Sequence, residues 1–182
     1  MKVIFLDIDG VLNTSNTFKE IYFEYKKTGE RRIAIDEFRL KILKEIIDLK
    51  QAKIVLSSTW RSCLKKENDS IIAIDSRGED LINIFSKYGL EIYDITPFDE
   101  NRHRGNEISL WLNQNDDIDT FVILDDDIHD LQKFKDKGLI YIKNDCQDFS
   151  VYSNGLCESH IEEALKFLNL KQSNYQKNLK IY

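Results

Sequence analysis

Apolar residues recur along this chain in two alternating rhythms. Short, nearly continuous runs rich in strand formers occur at Lys2-Val-Ile-Phe-Leu6, Lys53-Ile-Val-Leu56, Phe121-Val-Ile-Leu124 and Leu139-Ile-Tyr-Ile142, with a weaker one at Leu90-Glu-Ile-Tyr93. Runs of this length and composition suit strands buried on both faces. Between them the apolar positions change to three- and four-residue spacing. Over residues 36–49, Phe38, Leu40, Ile42, Leu43, Ile46, Ile47 and Leu49 form one wide stripe, which predicts an amphipathic helix with Asp36 as its N-cap. Ser76 and Glu79 have capping-box spacing ahead of Leu81, Ile82, Ile84 and Phe85, and Gly89 supplies the stop. Further helices are predicted over about residues 105–113, 131–137 and 160–168, the second of them closed by Gly138.

Strands alternating with helices imply right-handed crossovers and a mostly parallel sheet. The expected fold class is α/β, a three-layer Rossmann-like sheet with helices on both faces. In such sheets ligands bind outside the carboxyl ends of the strands. The chain places Asp7-Ile-Asp9-Gly10 after its first run, Ser57-Ser58-Thr59 after its second, and Asp125-Asp126-Asp127 after Leu124. Carboxylates and hydroxyls from three strand ends would converge on one crevice.

Length and composition bound the rest. The 182 residues fit a single domain, assigned to about residues 1–170, with 171–182 as a C-terminal tail. With 42% hydrophobic and 32% charged residues, the profile is that of an ordinary globule rather than a disordered chain. The first apolar run meets Asp7 too soon for a signal-peptide core or a membrane span, which predicts a cytoplasmic protein with no membrane partner. Cys63, Cys146 and Cys157 are odd in number and lack C-x-x-C spacing, so they read as reduced, structural thiols. A net charge of −6 gives no general attraction to nucleic acid or anionic membrane. Local contact with a polyanion falls to clusters such as Lys26-Lys27 with Arg31-Arg32, or Arg61 with Lys65-Lys66, for which a solvated face is the competing reading. Nothing indicates an obligate protein partner.

Asp7 and Asp9 flank one residue at the end of a strand, and Gly10 permits the turn that brings both carboxylates to one mouth. Such a pair suits phosphoryl chemistry, in which one carboxylate attacks phosphorus and the other moves protons. Mg²⁺ takes oxygen ligands and needs only one or two protein carboxylates. Asp7 with Asp125 or Asp126 would suffice. Ser57 or Ser58 could bind phosphoryl oxygens, with Ser57 favoured because it directly follows its apolar run as Asp7 does. Arg104, Arg102 and Arg61 are candidates to neutralise the phosphoryl group, since a guanidinium fork matches its oxygens.

The string Phe5-Leu-Asp7-Ile-Asp9-Gly-Val-Leu-Asn13 resembles the first motif of the haloacid-dehalogenase-like superfamily. Leu56-Ser57-Ser-Thr-Trp-Arg61 resembles the second, and Phe121-Val-Ile-Leu-Asp125-Asp126 the paired-acid form of the fourth. Arg104-Gly-Asn-Glu-Ile108, followed by Trp111-Leu112, resembles a third motif with Arg in place of the more usual Lys. Together the strings are similar to the phosphatase-like domain found in "Swiss Army Knife" RNA repair proteins. The resemblance implies Asp7 as nucleophile, Asp9 as general acid/base, and Mg²⁺ as cofactor. Its candidate ligands are Asp7, Asp9, Asp126 and Asp125, with Asp126 ahead of Asp125. It also implies a phosphorylated substrate, with nucleotide or nucleic-acid terminal phosphates among the targets. Phosphoryl transfer to a metabolite and a non-catalytic binding module are the competing functions, and retention of both Asp7 and Asp9 favours catalysis. Asp127 reads as a helix-capping acid, His103, His129 and His160 as surface residues, and Trp60 and Trp111 as packing anchors. Only residues 14–35 are available as a cap over the site, too few for a separate domain. Phe18, Ile21, Tyr22 and Tyr25 at helical spacing predict a small helical flap with a basic tip and an open crevice.

Overall fold

The computed structural model describes residues 1–144 and 154–170, so Cys146 and the tail at 171–182 lie outside the described residues. Five strands form one parallel sheet: β1 (Lys2–Leu6), β2 (Lys53–Leu56), β5 (Ile92–Ile95), β6 (Thr120–Asp125) and β7 (Leu139–Tyr141), in the order β5-β2-β1-β6-β7. Strand β1 is central, paired from Val3–Leu6 with β2 and from Lys2–Leu6 with β6. Side chains alternate across a strand with period two, and here both phases are apolar. Ile4, Leu6, Ile54, Leu56, Val122 and Leu124 pack on one face, while Val3, Phe5, Val55, Phe121 and Ile123 pack on the other. The expected three-layer α/β fold is the one observed.

The first face is covered by α2 (Glu37–Lys50), through Leu40, Leu43 and Ile46, by α3 (Ser76–Lys87), through Leu81 and Phe85, and by α5 (Ser159–Asn169), through Ala164 and Leu168. The second is covered by α4 (Arg104–Gln114), through Ile108, Trp111 and Leu112. Asp36 caps α2 as expected, accepting from the Phe38 amide at 2.9 Å. In α3 the cap is Asp75, one residue before the expected Ser76; its carboxylate accepts from the Gly78 amide at 3.0 Å.

Three elements depart from the pattern. The strand expected at 90–93 begins at Ile92, because the Leu90 amide still closes the end of α3 on the Phe85 carbonyl at 3.0 Å, after Gly89 at φ 64°. Residues 131–137 form only a 3-10 turn, Gln132–Phe134; a segment this short does not repay helix nucleation, and Leu131 and Phe134 are buried without it. An antiparallel hairpin, β3 (Leu64–Glu67) with β4 (Ser70–Ala73), follows the second strand end. Its turn residues Asn68 and Asp69 both have positive φ, 48° and 63°, as a tight hairpin turn requires. Neither of its four-residue strands alternates apolar with polar side chains, which hides the strand rhythm.

The segment before α2 contains α1 (Ser15–Thr28), in which Thr17 alone is buried. Thr14 and Thr17 cap it reciprocally, and Gly29 ends it at φ 74°. Phe18, Tyr22, Phe23 and Tyr25 are left exposed along it. Among the described residues, no helix is long and apolar enough to cross a membrane.

Candidate active site

The sheet register brings the three strand ends together. Beyond β1 the Asp7 amide donates to the Leu124 carbonyl at 3.0 Å, and the Ser57 amide donates to the Leu6 carbonyl at 2.9 Å. Asp7 therefore lies between Ser57 and Asp125. Ligand oxygens of Asp7, Asp125 and Asp126 all lie within 4.8 Å of one another. Asp7 and Asp125 are buried, and Asp126 is half-buried.

One cation answers these acids directly. Arg104, at the start of α4, places Nη1 2.6 Å from Asp125 Oδ2 and 3.1 Å from Asp7 Oδ2. Asp125 also accepts from the Asp127 amide at 2.9 Å through Oδ1. Burial, reinforced by the neighbouring Asp7 charge, pushes the Asp125 carboxyl up to about 7. Burial likewise raises Asp7, against the lowering pull of Arg104, and raises Asp126. Among the described residues, three clustered acids thus meet one directly paired cation, Arg104.

Asp126 Oδ2 accepts from Asn144 Nδ2 at 3.0 Å. Gly10, at φ 76°, lies so close that a Cβ there would stand 1.9 Å from the same oxygen. A Cβ there would displace the Asp126 carboxylate and the Asn144 amide, besides being strained at this φ. Since Asp125 spends an oxygen on Arg104 and the other on a backbone amide, Asp126 is the freer acid.

Asp9 stands apart from the three-acid group and is exposed. Its Oδ2 accepts from Trp60 Nε1 at 3.0 Å and its Oδ1 from Asn13 Nδ2 at 2.9 Å. Asn13 is itself fixed, accepting from the Gly10 amide at 3.0 Å and donating to the Ala34 carbonyl at 3.0 Å. Trp60 therefore does more than pack. Trp111 behaves as expected, edge-on to Phe5 with ring centres 5.3 Å apart, and donates Nε1 to Asp94 at 3.0 Å.

Ser57 Oγ is fully buried and has no hydrogen-bond partner among the described residues. A buried hydroxyl left unpaired is costly, and a phosphoryl oxygen would satisfy it. Ser58 instead caps the 3-10 turn Thr59–Cys63, accepting from the Trp60 amide at 3.4 Å. Thr59 is exposed.

Arg61 is placed differently from Arg104. It is 3% exposed, with Nη2 2.5 Å from Glu107 and Nη1 donating to the Ser57 and Ser58 carbonyls at 3.1 and 2.8 Å. It braces the backbone that carries both serines. Arg102 is exposed beside the site at φ 57°. Asp127 caps locally, accepting from the His129 amide at 2.9 Å. His103 and His129 are exposed, but His160 is half-buried, its Nδ1 accepting from the Cys157 amide at 3.0 Å. The site residues that sequence reasoning passed over are Trp60 in its bonding role, Glu107 and Asn144. Trp60 carried a signal in its place on the second strand-end loop and Glu107 in its place within the third-motif string, whereas Asn144 carried none.

Three hard oxygen donors in one group fit a divalent cation such as Mg²⁺ rather than a thiophilic metal. Comparison with curated proteins and with solved structures gives no significant match. The model of the HAD domain in Swiss Army Knife RNA repair proteins matches residues 3–146, and with the ordered strand-end acids and the parallel sheet this shows that the chain belongs to that family.

Proposed function

We propose that the chain is a Mg²⁺-dependent phosphomonoester hydrolase of the cytoplasm that works through an aspartyl-phosphate on Asp7 and acts on nucleotide or nucleic-acid terminal phosphates. The observation that carries this reading is the crowding at Asp7, where among the described residues three clustered carboxylates are directly ion-paired with Arg104 alone, beside a Ser57 hydroxyl with no hydrogen-bond partner. A bound cation and a phosphoryl group would complete both deficits.

Asp7, Asp126 and Asp125 would hold the metal, which when bound offsets repulsion between the phosphoryl group and the carboxylates. Arg104 keeps the Asp7 carboxylate oriented, and Ser57 donates to a phosphoryl oxygen. A carboxylate oxygen of Asp7 attacks phosphorus as the ester P–O bond breaks, and Asp9 gives its proton to the leaving oxygen. Asp9 then takes a proton from water. The water oxygen attacks the same phosphorus, the bond to Asp7 breaks, and inorganic phosphate leaves.

The basic flap supports a polyanionic substrate. Lys26 and Arg31 lie over the rings of Tyr22 and Tyr25 on α1, whereas Arg32 is already paired with Glu24 at 2.7 Å. Cationic surface interleaved with exposed aromatics is the pattern that single strands bind. The decisive assay is phosphate release from phosphorylated metabolites, nucleotides and 3′- or 5′-phosphorylated oligonucleotides, with and without Mg²⁺. Release that requires the metal and disappears in Asp7→Asn is expected. Equal release by Asp7→Asn or by chelator-treated protein would overturn the mechanism.

A further inference from the structure

Beside the acid cluster, between the loops that follow β2 and β5, lies a cleft of about 500 Å³. Arg104 forms one wall, so the cleft opens directly off the cation that holds Asp7. Phe98 also lines it, 59% exposed although it is a large apolar side chain. The Arg61 guanidinium lies 4.1 Å from the centre of the Phe98 ring. Guanidinium behind one face steadies the ring and leaves its exposed surface for something else.

The chemistry of the other walls narrows what the cleft could take. The remaining lining is polar and able to donate or accept, with Thr59 and Ser62 hydroxyls on one loop, the exposed guanidinium of Arg102 on the other, and two carboxylates already engaged, Glu107 by Arg61 and Asp99 by the Asn101 and His103 amides. A flat ring with hydrogen-bonding edges and an attached anion fits these walls. A plain phenyl ring does not, because it would leave the polar lining unanswered.

Resting on the phosphohydrolase reading above, we propose that this cleft is a base subsite, in which a nucleobase of the substrate stacks on Phe98 while its phosphate lies at Asp7 and Arg104. The base belongs to a free nucleotide or to the end of an oligonucleotide, since both present the same ring at the same distance from a terminal phosphate. Stacking on an aromatic side chain tolerates any base, so the subsite selects nucleotides as a class over sugar phosphates.

Equilibrium binding separates this subsite from catalysis. Affinities are measured by calorimetry on the full chain in the Asp7→Asn background with Mg²⁺, so that no ligand is turned over. The ligands are adenosine 3′- and 5′-monophosphates, ribose 5-phosphate, phenyl phosphate and a short phosphorylated oligonucleotide. Phe98→Ala should weaken mononucleotide binding about tenfold or more relative to ribose phosphate, and Phe98→Trp should restore it. Phe98→Leu, which keeps an apolar cover over Arg61 without a π face, should behave like Phe98→Ala. An oligonucleotide that loses more affinity than the mononucleotides identifies a chain end as the source of the base, and equal losses identify a free nucleotide. Mononucleotides that bind no better than ribose phosphate, a loss shared equally by all ligands, or a loss largest for phenyl phosphate would overturn the subsite. Phe98-dependent binding in a protein whose unsubstituted form releases no phosphate would leave the subsite standing and remove the hydrolase reading instead.

Discussion

The first turn of α4 faces two charged neighbourhoods that are balanced in opposite ways. Glu107 meets Arg61, and one buried anion is answered by one buried cation whose remaining Nη donor bonds the Ser57 and Ser58 carbonyls. Three residues earlier Arg104 meets Asp7 and Asp125, with Asp126 beside them. Buried charge that is paired holds a structure together, whereas buried charge left over is costly unless a ligand answers it. The first neighbourhood fixes the loop that carries the serines. The second crowds three acids around Arg104 among the described residues, and burial together with the Asp7 charge pushes the Asp125 carboxyl up to about 7.

Removing a charge from each side should therefore have opposite signatures. Asp7→Asn is expected to lower turnover by on the order of 10⁴–10⁶-fold, because the nucleophile acts as a unit with its neighbours. It should leave the melting temperature unchanged or higher, since it relieves crowding among the acids. Kinetics on the best substrate, paired with thermal unfolding, check both halves; a large loss of stability would show that Asp7 is structural.

Arg61→Met is expected to cost about 3–5 kcal/mol of stability by stranding Glu107 in the interior. The double variant with Glu107→Leu should recover much of that loss. Denaturant unfolding of the two singles and the double measures the coupling, and additive losses would mean that the pair is not a unit.

Magnesium should stabilise the side that is out of balance. At a free concentration about 100 times its dissociation constant, the ion adds about 2.7 kcal/mol to the unfolding free energy. Asp126→Asn should abolish most of that increment, and Asp125→Asn should reduce it less, because Asp125 is already held by Arg104. Thermal shift against Mg²⁺ concentration in the three proteins tests this ranking. Identical shifts would remove both acids from the ligand set.

The smallest effect is expected at Trp60, whose indole holds the proton-transferring Asp9. Trp60→Phe keeps the ring and deletes the donor, and should lower kcat about tenfold, as loss of a charge-assisted hydrogen bond would. The loss should shrink for aryl phosphates, whose good leaving groups need less protonation. A loss independent of leaving group would make Trp60 a packing residue after all.

The sheet was legible in the sequence because strands buried on both faces leave continuous apolar runs such as Val3-Ile-Phe-Leu6, and α2 and α4 were legible from their stripes. The hairpin at 64–73 was not, since only Leu64 is fully buried and neither short strand alternates apolar with polar residues. The acids at Asp7, Asp9, Asp125 and Asp126 could be read because the end of a buried strand is marked by the chain itself, where apolar residues stop and polar ones begin. Their convergence needed the strand order, in which β1 lies between β2 and β6, elements far apart along the chain.

Likeness of residue type concealed the rest. Arg61 and Arg104 are equal candidates in one dimension, and only packing gives one to Glu107 and the other to Asp7. Trp60 and Trp111 divide in the same way between Asp9 and the core. Asn144 reaches Asp126 from beyond β7, with no local pattern to announce it. Periodicity and strand-end chemistry are local properties, set by backbone geometry and by burial of one short element, so the sequence alone determined them. Which cation meets which anion depends on distances between elements that the chain visits out of spatial order, and only the tertiary structure decided it.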